Sequence, residues 1–231
     1  MRKAAKILIP VLVVFAIAAF AAWWFLRNDA PKPAALVQRV TSTTSAQAPT
    51  SPDGNWKVEK SKDTFAGYRV QEQFAGETIK KTAVGRTGNV TGSISITANQ
   101  LTAASFTVDM TTLTSNQSKR DQRIKSLGLE TNTFRTASFT ATVPFNLPET
   151  PQLNKKYSLS VPGKLTLHGV TKDVMVTMQA RWNGNNIDLA GKTPIAFADY
   201  GITAPSVSGF TSVNDHGEME FQLTLVPAKA R

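Results

Sequence analysis

The side chains that most often carry chemistry are scarce in this sequence. It has no cysteine and only two histidines, His168 and His216, which lie far apart in the chain. A hydrolytic site needs a nucleophile and an oriented base, and a transition-metal site needs several clustered ligands. We find no carboxylate pair suited to acid/base work and no glycine-rich phosphate loop. We therefore predict no catalytic residue, no metal site, no cofactor and no enzymatic activity, and a structural role for His168 across a turn.

One polar segment remains, the basic run around Asp121. Arg120, Arg123 and Lys125 are candidates for contacts with an anionic headgroup through charge-assisted hydrogen bonds, with Lys119 beside them. Alternatively, Arg120 and Asp121 pair or cap the local backbone, and the other cations are merely solvated. We favour the structural role for Asp121, whereas Arg120 suits either purpose.

Two alternating stretches flank this segment. Phe106, Val108 and Met110 alternate with polar residues, as do the apolar members of the stretch from Phe139 to Val143, which is typical of strands with one apolar face. About 25 residues connect them, well above the usual loop length, and loops of that size are commonly functional. The connection predicts a short helix beginning near Ser118.

The rest of the chain beyond Trp56 repeats the strand pattern. Alternating apolar runs recur at short spacing, separated by turn signals such as Asn183-Gly-Asn-Asn186 and Asp215-His-Gly217. No long amphipathic helix interrupts them. The pattern predicts an all-β domain of about eight antiparallel strands, either a sandwich or a closed barrel.

The ordered blocks of this region resemble a known family. The blocks are Phe106-x-Val-Asp109, Leu113-Thr-Ser115, Lys119-Arg-Asp121, Leu129-Glu-Thr131, Phe134, Ala137-Ser-Phe139 and Gly163-Lys-Leu-Thr-Leu-His-Gly-Val-Thr171. Together they are similar to the YceI family of lipid-binding, lipocalin-like proteins, from Trp56 to about Val226. The resemblance implies a closed, elongated barrel that binds a polyisoprenoid-type chain, such as an isoprenoid quinone or a polyprenyl phosphate, or else a fatty amide or acid.

An eight-stranded barrel is just wide enough either to be filled by its own side chains or to hold one slender ligand. On the binding interpretation, apolar residues of the inner face line the site. The alternative is an interaction module with a solid core, whose segment 113–136 contacts a partner protein. The candidate lipid-binding residues are Tyr68, Val70, Phe74, Ile94, Ile96, Phe106, Val108, Met110, Phe139, Ala141, Val143, Leu165, Leu167, Val174, Val176, Phe197, Phe221 and Leu223.

The N-terminal region predicts export. Residues 1–6 are basic and are expected in the cytoplasm, and residues 7–26 carry no charge and have the length of a transmembrane signal-anchor. A cleaved signal peptide is the competing interpretation, because Ala19-Phe-Ala21 has a small-x-small form. Residues 27–55 are rich in Pro, Ala, Ser and Thr and predict a flexible linker, followed by the barrel domain 56–231.

The net charge of the chain indicates which partners it can attract. The chain has a formal net charge of +10, and from Trp56 onward it carries 20 Lys and Arg against 14 Asp and Glu. A basic domain held near an anionic bilayer is attracted to it, although scattered charge also serves solubility. Export removes the domain from nucleic acid. The sequence thus predicts a membrane-tethered, extracytoplasmic lipid-binding protein in the cell envelope, with its oligomeric state open.

Overall fold

The computed structural model describes residues 30–38, 51–74, 80–204 and 211–228. The chain divides into two compact units, Met1–Pro31 and Lys32–Arg231. No helix within the described ranges has the length and apolarity needed to cross a bilayer. The predicted transmembrane segment, residues 7–26, lies outside those ranges.

The second unit is built almost entirely of antiparallel strands. The helical elements are a 3-10 turn at Met110–Thr112, the helix α1 (Ser118–Arg123), a π-helical turn at Ile124–Gly128, and a 3-10 turn at Phe197–Tyr200. The strands are β1 (Gly54–Val58), β2 (Phe65–Phe74), β3 (Lys81–Thr87), β4 (Val90–Thr97), β5 (Gln100–Asp109), β6 (Thr114–Ser115), β7 (Thr136–Ala141), β8 (Phe145–Asn146), β9 (Lys156–Leu167), β10 (Val170–Trp182), β11 (Ile187–Ala196) and β12 (Thr211–Pro227).

The strands close into a barrel of eight positions. Three positions each hold two successive segments: β1 with β2, β3 with β4, and β5 with β6. The ring continues through β7, β9, β10, β11 and β12. The long strand β12 then pairs with both β2 and β1, which closes the ring. Apart from the closing pairs of β12, successive positions of the ring follow one another in sequence, so the described strands form an up-and-down barrel.

The barrel has two distinct ends. We call the end with the 110–135 connection, the β9–β10 turn and residues 197–204 the upper end. The lower end carries the turn at 98–99, residues 142–155 and the turn at 183–186. Because α1 lies in the upper connection, the basic segment is placed at the upper end.

Alternation along each strand places the apolar residues inside. One buried cluster, which includes Trp56, Ile94, Trp182 and Leu225, occupies the lower and middle parts of the barrel. A second cluster, which includes Leu167 and Tyr200, lies toward the upper end. The predicted all-β architecture of about eight antiparallel strands and the helix start at Ser118 are both confirmed.

Three predicted strand residues lie elsewhere, and one of them, Phe197, begins the 3-10 turn that follows β11. Met110 belongs to a 3-10 turn, where the Asp109 carboxylate accepts hydrogen bonds from the backbone N–H and the hydroxyl of Thr111 and thereby holds the pKa of Asp109 below its usual range. The strand β7 ends at Ala141, two residues before Val143. Pro144, which cannot donate to a strand ladder, follows Val143, whose side chain is exposed. The placement of Val143 on the inner face was therefore wrong.

Part of the segment predicted as a flexible linker contacts the barrel. Residues 32–37 cross the outer face, where the Ala34 N–H donates to the Glu220 carboxylate at 3.1 Å and Arg181 donates to the Val37 carbonyl. Glu220, which also pairs with Arg69 and Arg86, is buried under this segment, and Leu36 of the segment itself is buried too. These contacts lie within the second compact unit.

The closing contact between β12 and β1 gives the first prediction. Leu225 is fully buried beside Val58, so Leu225→Ala removes core volume at the point where the ring closes. We expect a loss of about 3 kcal/mol in the free energy of unfolding, measured by denaturant titration. Met175→Ala is the control, because the Met175 side chain is 52% exposed. Equal effects of the two substitutions would contradict the assignment of Leu225 to the core.

Candidate functional site

Three cavities follow one another along the inside of the barrel. The upper cavity has a volume of about 180 Å³ and is bounded by β2, β11, β12 and the segment 117–129. The middle cavity has a volume of about 90 Å³, and the lower one about 100 Å³. The middle and lower cavities are lined mostly by apolar side chains. The interior is thus an interrupted apolar bore.

A few side chains separate these cavities. Met219 lines both the upper and the middle cavity. Phe106, Phe139, Met178 and Leu189 line both the middle and the lower cavity. Methionine has three rotatable bonds and adapts readily, so Met219 and Met178 are the partitions that move most easily.

Four inward-facing aromatic rings each lie against a glycine of the neighbouring strand. A Cβ atom on any of these glycines would lie between 2.3 and 2.6 Å from a ring atom, closer than real Cβ atoms approach. The missing glycine side chains leave the space that the rings occupy, an arrangement known as aromatic rescue. The pairs are Tyr68 with Gly85, Phe106 with Gly92, Phe139 with Gly163, and Phe221 with Gly191.

The upper cavity differs from the others because it contains a buried ion pair. The Arg120 guanidinium donates to both carboxylate oxygens of Glu72, at 3.0 and 2.7 Å, and both side chains are largely buried. Burial opposes the charge of Arg120, but the hydrogen bonds and the negative charge of Glu72 outweigh it and raise the pKa of Arg120. The pair fixes α1 over the upper end of the barrel, since Glu72 belongs to β2.

The remaining residues of the connection hold α1 in this position. The Asp121 carboxylate accepts from the backbone N–H and the hydroxyl of Ser115, at 2.8 and 2.6 Å. Asp121 therefore has the structural role that the sequence favours. After α1 the chain widens into the π-helical turn, and Ile124 and Gly128 join Arg120 along the wall of the cavity.

Tyr68 lines the upper cavity and carries a polar atom with an unusual environment, its hydroxyl oxygen. It is buried and has no hydrogen-bond partner among the described residues. Burial raises the pKa of Tyr68 far above its ordinary value, so the phenol stays protonated and is available as a donor. An unsatisfied buried hydroxyl is costly, and a ligand with an acceptor atom at this point would remove that cost.

His168 joins three segments at the upper end. Its Nδ1 lies 3.0 Å from the Tyr200 carbonyl oxygen, its Nε2 lies 2.8 Å from a Glu130 carboxylate oxygen, and its ring packs on Phe134. Both ring nitrogens are therefore occupied by structural contacts. The structural role predicted for His168 is confirmed, although its partners lie in other loops rather than across its own turn.

Most of the candidate lipid-binding residues meet around the bore. Phe106 and Phe139 lie between the middle and lower cavities. The upper cavity receives Tyr68, Val70 and Phe197, the middle one Val108, Leu165, Val176, Phe221 and Leu223, and the lower one Ile94, Ile96 and Ala141.

The other candidates are placed differently. Met110 and Leu167 are buried and Val174 packs beside them in the upper cluster, away from the cavity walls. Val143 lies on the outside, and the Phe74 side chain is not among the described ones. Of the headgroup candidates, Arg120 and Arg123 line the upper cavity, whereas Lys125 does not and Lys119 takes its place.

Sequence reasoning missed Glu72 and the pairing of each ring with a glycine of the neighbouring strand. Glu72 has the same parity in β2 as Tyr68 and Val70, so a carboxylate on an apolar face was the available signal. This carboxylate, together with the excess of cations in the segment around Asp121, suffices to suggest an ion pair inside the barrel. Ile195, Ile202 and Leu129 also line the upper cavity and were not proposed.

Comparisons with known proteins agree with this geometry. Residues 56–225 match the model of the YceI-like domain. A UPF0312 protein from Vibrio vulnificus (strain YJ016) is 30% identical over 143 residues, which cover 58% of this chain and 72% of that protein. A UPF0312 protein from Shewanella baltica (strain OS155 / ATCC BAA-1091) is 34% identical over 128 residues, which cover 52% of this chain and 63% of that protein.

A solved structure shares the fold. It is a polyisoprenoid binding domain from Saccharophagus degradans implicated in plant cell wall breakdown, with a TM-score of 0.59 and 18% identity. The alignment covers 75% of this chain and 98% of that one. At this identity the similarity establishes the barrel fold alone.

The buried ion pair gives the second prediction. Arg120→Met leaves the Glu72 carboxylate buried without its cation, and we expect a loss of about 3 kcal/mol in the free energy of unfolding. Adding Glu72→Met should restore much of that loss, because an apolar pair needs no charge compensation. Lys155→Met is the control, since its pair with Glu149 is exposed, and it should change stability little. No recovery in the double variant would contradict this view of the pair.

Proposed function

This chain belongs to the YceI family, and we propose that it holds one long apolar lipid of the polyisoprenoid type inside its barrel, for sequestration or transfer. The observation that carries the proposal is the series of three cavities along the axis, of which the middle and lower ones are lined mostly by apolar side chains. Each methylene group buried there contributes about 0.8 kcal/mol, so a long chain gains affinity by length rather than by specific contacts.

Entry of a long chain requires the partitions to move. Met219 has to swing aside to join the upper and middle cavities, and Met178 with the two rings beside it has to move to join the lower one. Binding of a long chain therefore opens the partitions, and the ligand supplies the apolar contacts that they give up.

The polar end of the ligand belongs in the upper cavity. There the Tyr68 hydroxyl offers a hydrogen bond to a neutral oxygen. The charge of Arg120 is balanced by Glu72, so a negatively charged headgroup would depend on Arg123 and Lys119 at the rim. This arrangement favours a lipid with a carbonyl or hydroxyl headgroup deep in the cavity, with charged groups nearer the surface.

We further propose that the barrel is tethered to the membrane and lies outside the cytoplasm. The support is the uncharged segment 7–26, preceded by Arg2, Lys3 and Lys6. A lipid-binding barrel held at a bilayer surface is close to its source of ligand. The role is non-enzymatic, and it is consistent with a His168 whose two ring nitrogens are engaged in structural contacts.

The alternative is an envelope interaction module with a solid core. It predicts a barrel filled by its own side chains, and the cavities of about 180, 90 and 100 Å³ speak against it. The glycines under the aromatic rings also favour a bore that is kept open.

A pair of adjacent alanines tests the bore directly. Ala104 lines the lower cavity, whereas Ala103 on the same strand points outward and is exposed. Ala104→Phe fills the cavity, so we expect it to lower the amount of a long-chain isoprenoid quinone bound per protein, measured by native mass spectrometry after lipid exchange. Ala103→Phe should bind as the parent protein does. Equal uptake by both variants would exclude the lower cavity as part of the site.

The Tyr68 hydroxyl gives a further prediction. Tyr68→Phe should weaken binding of an isoprenoid quinone about fivefold, the worth of one hydrogen bond, and leave binding of the hydrocarbon squalene unchanged. Tyr157→Phe is the control, because Tyr157 lines the lower cavity and its oxygen accepts from Gln152. Competition with a fluorescent lipid provides the affinities. Equal weakening for both ligands would argue against a headgroup contact.

A further inference from the structure

The segment over the upper cavity carries a row of exposed side chains on its outer side. Arg120, Ile124 and Gly128 face the cavity, at the four-residue spacing that keeps helical residues on one side. Lys119, Arg123 and Leu127 each come one position earlier in the chain, and we call these three residues the row. Lys119 and Arg123 are exposed and border the cavity, and Leu127 ends the row.

Leu127 is unusual among the large apolar side chains. It is 64% exposed, more than Met175, Leu153 or Val143, the other large apolar residues with high exposure among those described. Surfaces that bind at the boundary between lipid headgroups and acyl chains combine basic residues with exposed apolar side chains. An exposed leucine in the same segment as two cations has this composition. The basic residues meet the phosphates, and the apolar side chain enters the layer beneath them.

The charge of the row is not cancelled by its surroundings. Within the described ranges, each carboxylate bordering the mouth is engaged elsewhere: Glu72 with Arg120, Asp121 with Ser115, and Glu218 with Lys192. Glu130, in the same connection, is bound to His168. No carboxylate of the described residues pairs with Lys119 or Arg123, so both cations are available to an external anion.

We propose that the row Lys119, Arg123 and Leu127 docks on the surface of an anionic bilayer and brings the upper cavity mouth against the membrane. This inference rests on the proposed lipid-binding function, and it names the end of the barrel through which lipid enters. The lower end, with its mostly apolar cavity, then points away from the bilayer.

The absence of cysteine makes the test direct, since a single introduced thiol is the only one in the chain. The full chain carrying Leu127→Cys is labelled with an environment-sensitive fluorophore and reconstituted into vesicles. One set contains phosphatidylglycerol with phosphatidylcholine, and the other contains phosphatidylcholine alone. Leu153→Cys is the control, because Leu153 is exposed at the lower end.

We expect a blue shift of the label at position 127 in the anionic vesicles and little shift at position 153. High salt should reduce the shift, because the Debye length, over which charges act on one another, falls to about 3 Å at 1 M ionic strength. Lys119→Glu with Arg123→Glu should abolish it. The control is Lys57→Glu with Lys156→Glu, which changes the net charge by the same amount at exposed positions of the lower end. This control variant should keep the blue shift.

Equal shifts at the two labels, or a shift that does not depend on anionic lipid, would overturn the docking proposal. So would a shift at position 127 that appears in detergent without vesicles and rises with protein concentration, since that would indicate contact between two copies. Lipid extracted from the same labelled protein is measured in parallel. Bound lipid without a shift refutes the docking surface alone, whereas absence of bound lipid refutes the carrier function.

Discussion

The narrow interior of an eight-stranded barrel is the constraint on which the rest of this structure depends. Such an interior has room for side chains or for one slender guest. Four aromatic rings point inward, and each lies against a glycine of the next strand. Because the rings use the space that the glycines leave, the axis retains three cavities instead of a filled core. The proposed ligand occupies what this arrangement leaves open.

The upper end combines opposite requirements. On the proposed function, the segment 117–129 is a cap over the lipid site: it has to be held firmly, yet it covers the opening through which the lipid would pass. The cap is held by polar contacts, the ion pair of Arg120 with Glu72 and the hydrogen bonds of Asp121 to Ser115. A buried ion pair adds little net stability compared with an apolar pair, but it defines one geometry because each partner requires the other. These polar contacts therefore define the position of the cap, while its Ile124 and Leu129 pack against the upper cluster.

Much of the fold could be predicted from sequence, because the alternation of apolar and polar residues shows which face of a strand is apolar. That pattern gave the strands around Phe106 and Phe139 and most of the residues that meet around the bore. It extended too far at Met110 and Val143, where a capped turn and a proline end the ladders. Alternation does not determine whether a sheet closes, and it gives no weight to a glycine. The ring-over-glycine pairs and the inward Glu72 depend on register between strands, which a single strand pattern does not contain.

The central claim is that the barrel encloses space for one lipid chain, and intact mass measurement tests it most directly. The full chain is purified from a membrane-rich host in gentle detergent, its mass is recorded under native conditions, and the bound material is extracted and identified. The account predicts one long apolar lipid per chain, lost on unfolding and regained when such a lipid is supplied. Protein that carries no lipid from several hosts and takes up none when offered it would contradict the account.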